Sequence, residues 1–302
     1  MTNDERIEPV DPTPELVRAL LAEQFPDWAD EPVTPVGKPG VDNKTFRLGA
    51  DKLVRMPRFP RWVDQVLREQ RWLPVLAPHL PLPVPTPLAQ GEPGAGYPFP
   101  WSVYAWLAGD NASRAALVDQ EQAARDLAEF LGALWAIDAT DGPPPEWSNG
   151  FRGVDLADER DSPVIGWRIE RRIAALHGIL DTAALREVFA TALAAAVHSG
   201  APVWVHGDPA PGNLLIRDGR LSAVIDFGTL AVGDPACDLI GAWTLLGPEG
   251  RDVFRAALSI DDATWARGRG WALSALLPSP DAVDEDARRG IDELISDHRL
   301  PG

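Results

Sequence analysis

Apolar positions in residues 12–24 (PTPELVRALLAEQ) recur at helical spacing. Leu16, Ala19 and Leu20 follow a Pro and a Glu that suit a first turn, so the stretch reads as a helix. The period then changes. Between residues 33 and 58, short β-type pieces around TFRLG and KLVRM flank a turn at Gly49-Ala50-Asp51. Helical spacing returns over 61–76, where Trp62, Val66, Glu69 and Leu73 stand about one turn apart. The stretch PHLPLPVPTPLAQGEPGAGYPFP is too dense in Pro and Gly for a helix and leaves room for a short edge strand near Thr86–Ala89. Trp101–Asp110 (WSVYAWLAGD) is an apolar strand run ending in Gly, and it marks a boundary between two lobes.

Beyond that boundary the pattern is mostly helical. Residues 115–138 carry Leu117, Leu127, Leu131, Leu134 and Trp135 on a broad stripe, and 182–198 are rich in Ala and Leu. Further helices are expected over 235–246, 250–258, 262–276 and 284–297. One segment interrupts them. Val203–Val205 is a short β-rich run, and NLLIRDGRLSAVIDFG reads as a hairpin: Leu214–Arg217, a turn at Asp218-Gly219, then Leu221–Ile225. The expectation is an α+β protein of two lobes. A small lobe, 1–105, is an antiparallel sheet plus helix, and a larger, mostly helical lobe is 106–302. No internal repeat is present.

Composition narrows the function classes. With 302 residues and 45% apolar content, the chain can bury a sizeable core. It has no run of about eighteen uncharged apolar residues, so no membrane span is expected. Its polar, acidic opening lacks the basic start and apolar stretch of a secretion signal, and a cytoplasmic monomer is expected. The net charge of −17 is uneven: residues 1–108 hold 14 acids and 11 bases, residues 109–302 hold 31 acids and 17 bases. Such a surface repels nucleic acid and anionic membranes and attracts a cationic ligand. The single cysteine, Cys237, excludes an internal disulfide framework and any Cys-based zinc site. Its neighbours Asp234 and Asp238 would raise the thiol pKa, which suits a packing residue rather than a nucleophile. His79, His177, His198 and His298 form no ligand-spaced pair.

The segment VHGDPAPGNLLIRDGRLSAVIDFG (Val205–Gly228) carries the chemistry. A hairpin of this length puts Asn213 at the start of one strand and Asp226 at the end of the other, with His206 and Asp208 on the loop leading in. Asp208 can accept a hydroxyl proton, and Asn213 and Asp226 offer the hard oxygen ligands that Mg²⁺ takes. Phosphoryl transfer in protein kinases uses H-R-D, an Asn five residues past the Asp, and D-F-G. Here Asp208 to Asn213 is five residues and Asp226-Phe227-Gly228 is literal. Turn chemistry accounts for any one of these residues but not for all three at this spacing. His206 is expected to hold the loop through backbone bonds. Asp234 precedes Pro235 and suits a helix cap, and Asp238 falls in that helix's first turn, where the dipole favours an acid.

The stretches HGDPAPGNLL…VIDFGTLAVGDPACDLIGAW and GVDNKTFRLGADKLVRMPR…YPFPWSVYAWLAGD resemble the aminoglycoside phosphotransferase family, relatives of the protein kinases. The resemblance covers roughly residues 30–300. It implies a two-lobed kinase-like fold that moves the γ-phosphate of ATP or GTP, with Mg²⁺, to a hydroxyl on a small molecule. It also implies that Asp208 is the base, that Asn213 and Asp226 are metal ligands, and that His206, Asp234 and Asp238 are structural. On the nucleotide side the turn at Gly40, Asp42 and Asn43 would cover the triphosphate. Arg55 stands where protein kinases have lysine, with Glu69 as its helix partner. Lys44 and Lys52 lie nearby, but Lys52 should face the other way on a strand. Trp101, Ser102, Val103 and Tyr104 would belong to the hinge beside the base.

Gly207 replaces the Arg of H-R-D, and only five residues separate Gly228 from Asp234. That leaves no room for a long activation segment and favours a small-molecule acceptor over a peptide. Asp155, Asp158, Glu159 and Asp161, or the cluster Asp284, Glu285 and Asp286, could receive a cationic acceptor such as an aminoglycoside. Trp147, Phe151 and Trp167 could instead line an apolar pocket for a macrolide. An aminoglycoside-like antibiotic, and hence resistance, is the leading expectation. A macrolide or metabolite kinase, or a nucleotide-binding pseudokinase scaffold suggested by Arg55, are the alternatives.

Overall fold

Contacts in the computed structural model, which describes residues 9–37, 42–158 and 165–300, divide the chain into two units. The first gathers the described residues of Met1–Pro78 with Pro83–Ala108 and Ile225–Gly228. The second gathers His79–Leu82, Gly109–Val224 and the described residues of Thr229–Gly302.

The first unit begins with α1 (Pro14–Gln24), whose N-terminus is capped by the Thr13 hydroxyl accepting the Leu16 N–H. There follow β1 (Val33–Pro35), β2 (Asn43–Leu48), β3 (Lys52–Pro57), α2 (Val63–Leu76), β4 (Pro87–Gly91) and β5 (Trp101–Ala105). The strands form one antiparallel sheet in the order β1-β2-β3-β5-β4, so β4 is an edge strand. Phe46, Leu48, Val54, Met56 and Val103 form a core with Val17, Leu20 and Leu21 of α1. Full burial contributes about 1.5–3 kcal/mol for each such side chain. Alternation along β3 then points Arg55 away from the face of Val54 and Met56.

The second unit contains β6 (Asp110–Asn111), α3 (Gln120–Trp135), α4 (Gly166–Ala175), α5 (Thr182–Ala194), β7 (Val203–Val205), β8 (Leu214–Arg217), β9 (Arg220–Val224), β10 (Ala231–Gly233), α6 (Gly241–Thr244), α7 (Pro248–Leu258), α8 (Asp262–Leu276) and α9 (Glu285–Arg299). Helix α3 packs on α7, and α8 packs on α5 and on the 3₁₀ helix Pro235–Ile240. Much of this unit's acidity has local work to do. Asp119, Asp181, Asp261 and Asp284 each accept a backbone N–H at the start of α3, α5, α8 and α9. Asp284 is thus a cap, with Glu285 and Asp286 in the first turn, which accounts for that acidic cluster without an acceptor.

The β8–β9 hairpin pairs Leu214 with Val224 and turns on Asp218 and Gly219, both at positive φ (+53° and +77°), as a tight two-residue turn requires. Its second strand starts and ends one residue earlier than the alternation implies. Four elements escape the sequence pattern: β1, β6, α4 and β10, and the single strand run expected over Trp101–Asp110 stops at Ala105. The helix expected over 235–246 is broken into the 3₁₀ segment and α6. At the break, a Cβ on Gly241 would lie 2.9 Å from Leu127 and 3.0 Å from the Pro209 carbonyl. Among the described residues, no helix is long and apolar enough to cross a membrane.

One buried ion pair ties α8 to the segment after β10. The Arg267 guanidinium, 1% exposed, donates to both carboxylate oxygens of Asp234, at 2.7 and 3.2 Å. Arg267→Ala leaves that carboxylate buried and unpaired. It should cost about 3–5 kcal/mol, read as a lowered midpoint in urea unfolding followed by circular dichroism.

Candidate active site

Strand β7 delivers the chain into His206-Gly207-Asp208, and a buried carboxylate fixes this loop. Asp238 accepts the N–H of His206 at 3.1 Å and of Gly207 at 2.7 Å, and the indole N–H of Trp135 at 3.0 Å. Burial holds the Asp238 pKa above its usual range, against the pull of the His206 ring and these donors. Asp238 therefore anchors the loop directly, a role beyond the helix-dipole position read from its spacing. Asp234 is the expected cap, accepting from Ala236 N–H at 3.0 Å.

His206 is fully buried. Its Nδ1 accepts the Asp208 N–H at 3.2 Å, and its carbonyl accepts from the Thr229 hydroxyl at 2.8 Å. Gly207 adopts φ +85°, and a Cβ there would lie 2.6 Å from Arg152 Cγ and 3.0 Å from the Thr229 carbonyl. Backbone geometry and space both exclude an Arg at this place. Asn213 then closes the loop: its Nδ2 donates to the Asp208 carbonyl at 2.9 Å and to Asp208 Oδ2 at 3.2 Å.

In the first unit a second constellation forms around Arg55. Its Nη1 donates to Glu69 Oε1 at 2.7 Å, and its Nη2 donates to Asp226 Oδ1. With its amide assigned so that the oxygen faces the same guanidinium, Asn43 accepts from Nε at 3.2 Å and Nη2 at 2.9 Å. Burial alone would lower the Arg55 pKa, but the carboxylates of Asp226 and Glu69 outweigh it and hold the guanidinium above its usual value. Tyr104 donates its hydroxyl to Glu69 Oε2 at 2.5 Å, and burial keeps that phenol protonated. Lys52 is engaged with Glu31 and Asp51, and Lys44 with Asp11, so neither replaces Arg55. Asp226 itself sits at φ +64°, a conformation Asp tolerates better than most residues. Arg68 donates to the Gly228 carbonyl at 2.5 Å, holding the turn that carries Asp226.

A family model described as the phosphotransferase enzyme family matches residues 33–271. The chain belongs to this family. A 154-residue stretch is 27% identical to the aminoglycoside 3'-phosphotransferase of Escherichia coli; it spans 48% of this chain and about half, 49%, of that protein. Among solved structures, the GDP and kanamycin complex of APH(2")-IIia is 22% identical with a TM-score of 0.67, over 94% of this chain and 99% of that one. The macrolide 2'-phosphotransferase MphH from Brachybacterium faecium is 23% identical with a TM-score of 0.56, over 92% and 97%. These likenesses show the fold, the two-lobed α+β architecture related to the protein kinases.

Within this phosphotransferase fold the remaining candidates fall in different places. Trp101, Ser102, Val103 and Tyr104 lie in β5, an interior strand, where each is paired with β4 and the last three also with β3. The backbone bonds run one residue past the paired strand, with the Ala105 N–H donating to the Thr86 carbonyl at 2.9 Å and the Trp106 N–H to the Asp51 carbonyl at 2.7 Å. There the Trp106 ring lies 3.8 Å from the Arg47 guanidinium carbon. Asp155 accepts its own Ala157 N–H at 2.9 Å, and Asp158 is exposed. Gly40, Glu159 and Asp161 lie outside the described residues. Cys237 is fully buried, with its thiol pushed up by burial and then by Asp238, as its neighbours implied.

Sequence reasoning passed over Gln65 and Arg68, both buried on α2. With Glu69 they make a polar stripe on a helix whose other buried residues are apolar, and that stripe is a readable signal. A divalent cation is compatible with the donor set. Each residue taken by itself has a hard oxygen to offer, the Asn213 amide oxygen and the Asp226 carboxylate, whose side chain is 39% exposed and faces the Arg55 guanidinium. Among the described residues no three His, Cys, Asp or Glu side chains form a metal cage.

Burial first, and then the Asp226 charge, raise the Asp42 carboxyl to about 6, against Arg55, Arg61 and Gln65. A carboxyl whose folded pKa is raised binds its proton more tightly in the native state. Its destabilising contribution therefore grows as pH rises from about 3.8 to about 6 and is complete above that. Asp42→Asn should raise the thermal midpoint at pH 8, equivalent to about 1–3 kcal/mol, and raise it much less at pH 4.5.

Proposed function

We propose that this phosphotransferase is a Mg²⁺-dependent kinase that moves the γ-phosphate of ATP or GTP to a hydroxyl of a small cationic acceptor of the aminoglycoside kind. The observation that carries the reading is the Asp208–Asn213 bond on a loop suspended from Asp238. A carboxylate held in this way can take the hydroxyl proton as the oxygen attacks. Asn213 and Asp226 would hold the metal, which when bound neutralises charge on the phosphates. Arg55, aimed by Glu69, would bind the α- and β-phosphates, with Asp42 and Asn43 near them. The reading assigns nucleotide binding to residues 1–105 and catalysis and acceptor binding to 106–302. GDP in a neighbouring structure supports a purine nucleotide, and kanamycin beside it supports an aminoglycoside acceptor. Transfer is direct in this reading: Asp208 takes the proton while the acceptor oxygen itself attacks the γ-phosphate.

The test is phosphotransfer to aminoglycosides, macrolides and simple amino-alcohols, read by mass spectrometry for a gained phosphate. Asp208→Ala should lower kcat by about 10²–10⁴-fold with the nucleotide KM little changed. Wild-type turnover in that variant would remove Asp208 from the base role. Arg55→Lys keeps the charge but loses the fork that faces Glu69, Asp226 and Asn43 together. Its nucleotide KM should rise about tenfold while the acceptor KM stays within twofold.

A further inference from the structure

We infer that Trp147 and Phe151 form an aromatic platform that binds the saturated ring of a protonated amino sugar, on the acceptor side of the site; this rests on the kinase reading above. Trp147 is 46% exposed and is the one aromatic among the large apolar side chains left exposed by the described residues. Its ring meets Phe151 edge-on, with centroids 6.4 Å apart. A ligand ring can reach an indole this open, and the Phe151 edge beside it extends the apolar surface.

The turn that carries the pair is closed by its own hydrogen bonds. Glu146 N–H donates to Asn149 Oδ1 at 2.8 Å, the Ser148 hydroxyl donates to Glu146 Oε1 at 2.5 Å, and Asn149 is fully buried, donating to the Pro144 carbonyl at 2.9 Å. Gly150 and Phe151 both take positive φ, +65° and +55°. A bulky aromatic at such a φ is strained, and strain persists where the surroundings hold it in place. Here the Phe151 N–H bonds to the Glu146 carbonyl at 2.9 Å.

The same turn is fastened to the loop of Asp208. Arg152, next to Phe151, lays its stem against Gly207, and its guanidinium carbon lies 5.1 Å from the Trp271 ring. The Gly153 carbonyl accepts the Asp234 N–H at 2.8 Å. The platform and the candidate base are thus two ends of one braced segment, Trp147–Arg152–Gly207–Asp208. The face of a saturated sugar ring presents C–H groups to an indole, and a protonated amine beside the ring adds attraction to the indole face. The acids of this half of the chain favour the same cation. Aminoglycosides and amino-sugar macrolides share this chemistry.

The experiment is calorimetric titration of kanamycin, and separately of erythromycin, into the full chain with Mg²⁺ and a non-hydrolysable nucleotide. Wild type is compared with Trp147→Ala and Trp147→Phe, each confirmed to keep its thermal midpoint. At least one compound should bind, and which one binds identifies the source of the sugar. Its Kd should rise tenfold or more in Trp147→Ala and stay within threefold in Trp147→Phe. Absence of binding by wild type, or equal affinity in Trp147→Ala, overturns the platform. Binding that depends on Trp147 with no phosphate gained by any acceptor leaves the platform standing and sinks the kinase reading instead.

Discussion

A single buried carboxylate, Asp238, sets the position from which the candidate base can act. It takes two consecutive backbone N–H groups of the loop and one indole N–H, so neither oxygen is without a donor. Burying an acid is tolerable only with such compensation. The arrangement fixes main chain rather than side chain: the path of His206-Gly207 is imposed from below, and Asp208 inherits its direction. Everything above it depends on that path, including the His206 ring that accepts the Asp208 N–H and the Asn213 amide that meets the Asp208 carboxylate.

Arg55 plays the corresponding part in the first unit by a different route. Three nitrogens of one planar group face three partners from three segments: Glu69 on α2, Asp226 from the short Ile225–Gly228 piece, and Asn43 at the start of β2. A lysine ammonium is a point charge at the end of a flexible stem and matches no such fork. The substitution that set this chain apart from the protein-kinase pattern is therefore explained by what the side chain must hold. It gives no support to a loss of function, the idea behind the scaffold alternative.

Local rules made much of this legible. The motif at 206–228 lies within one hairpin and its approaches, so spacing and turn residues were enough to place β8, β9 and the loop. The pairing of Arg55 with Glu69 came from the kinase pattern of a strand cation held by a helix acid, and the two side chains meet at 2.7 Å. What the sequence did not reveal depends on distant contacts. Arg55 and Asp226 are 171 residues apart, and no periodicity links them. The strand character of Ala231–Gly233 comes from pairing with Val203–Val205, not from its own three residues. Asp238 was assigned to a helix dipole because its true partners lie 31 and 32 residues upstream. Asp284 drew attention as an acid in a cluster, when its neighbours made it a cap.

The five residues between Gly228 and Asp234 include β10, whose Ala231 pairs with Val205 and whose Gly233 pairs with Val203. The piece of chain that follows D-F-G is thus stitched to the strand that precedes H-G-D, and Thr229 adds a bond to the His206 carbonyl. A connection this short, with both ends sewn down, cannot swing out to be modified and swing back. Between these two motifs the chain has no slack: three of its five residues are strand, paired in register with Val203–Val205.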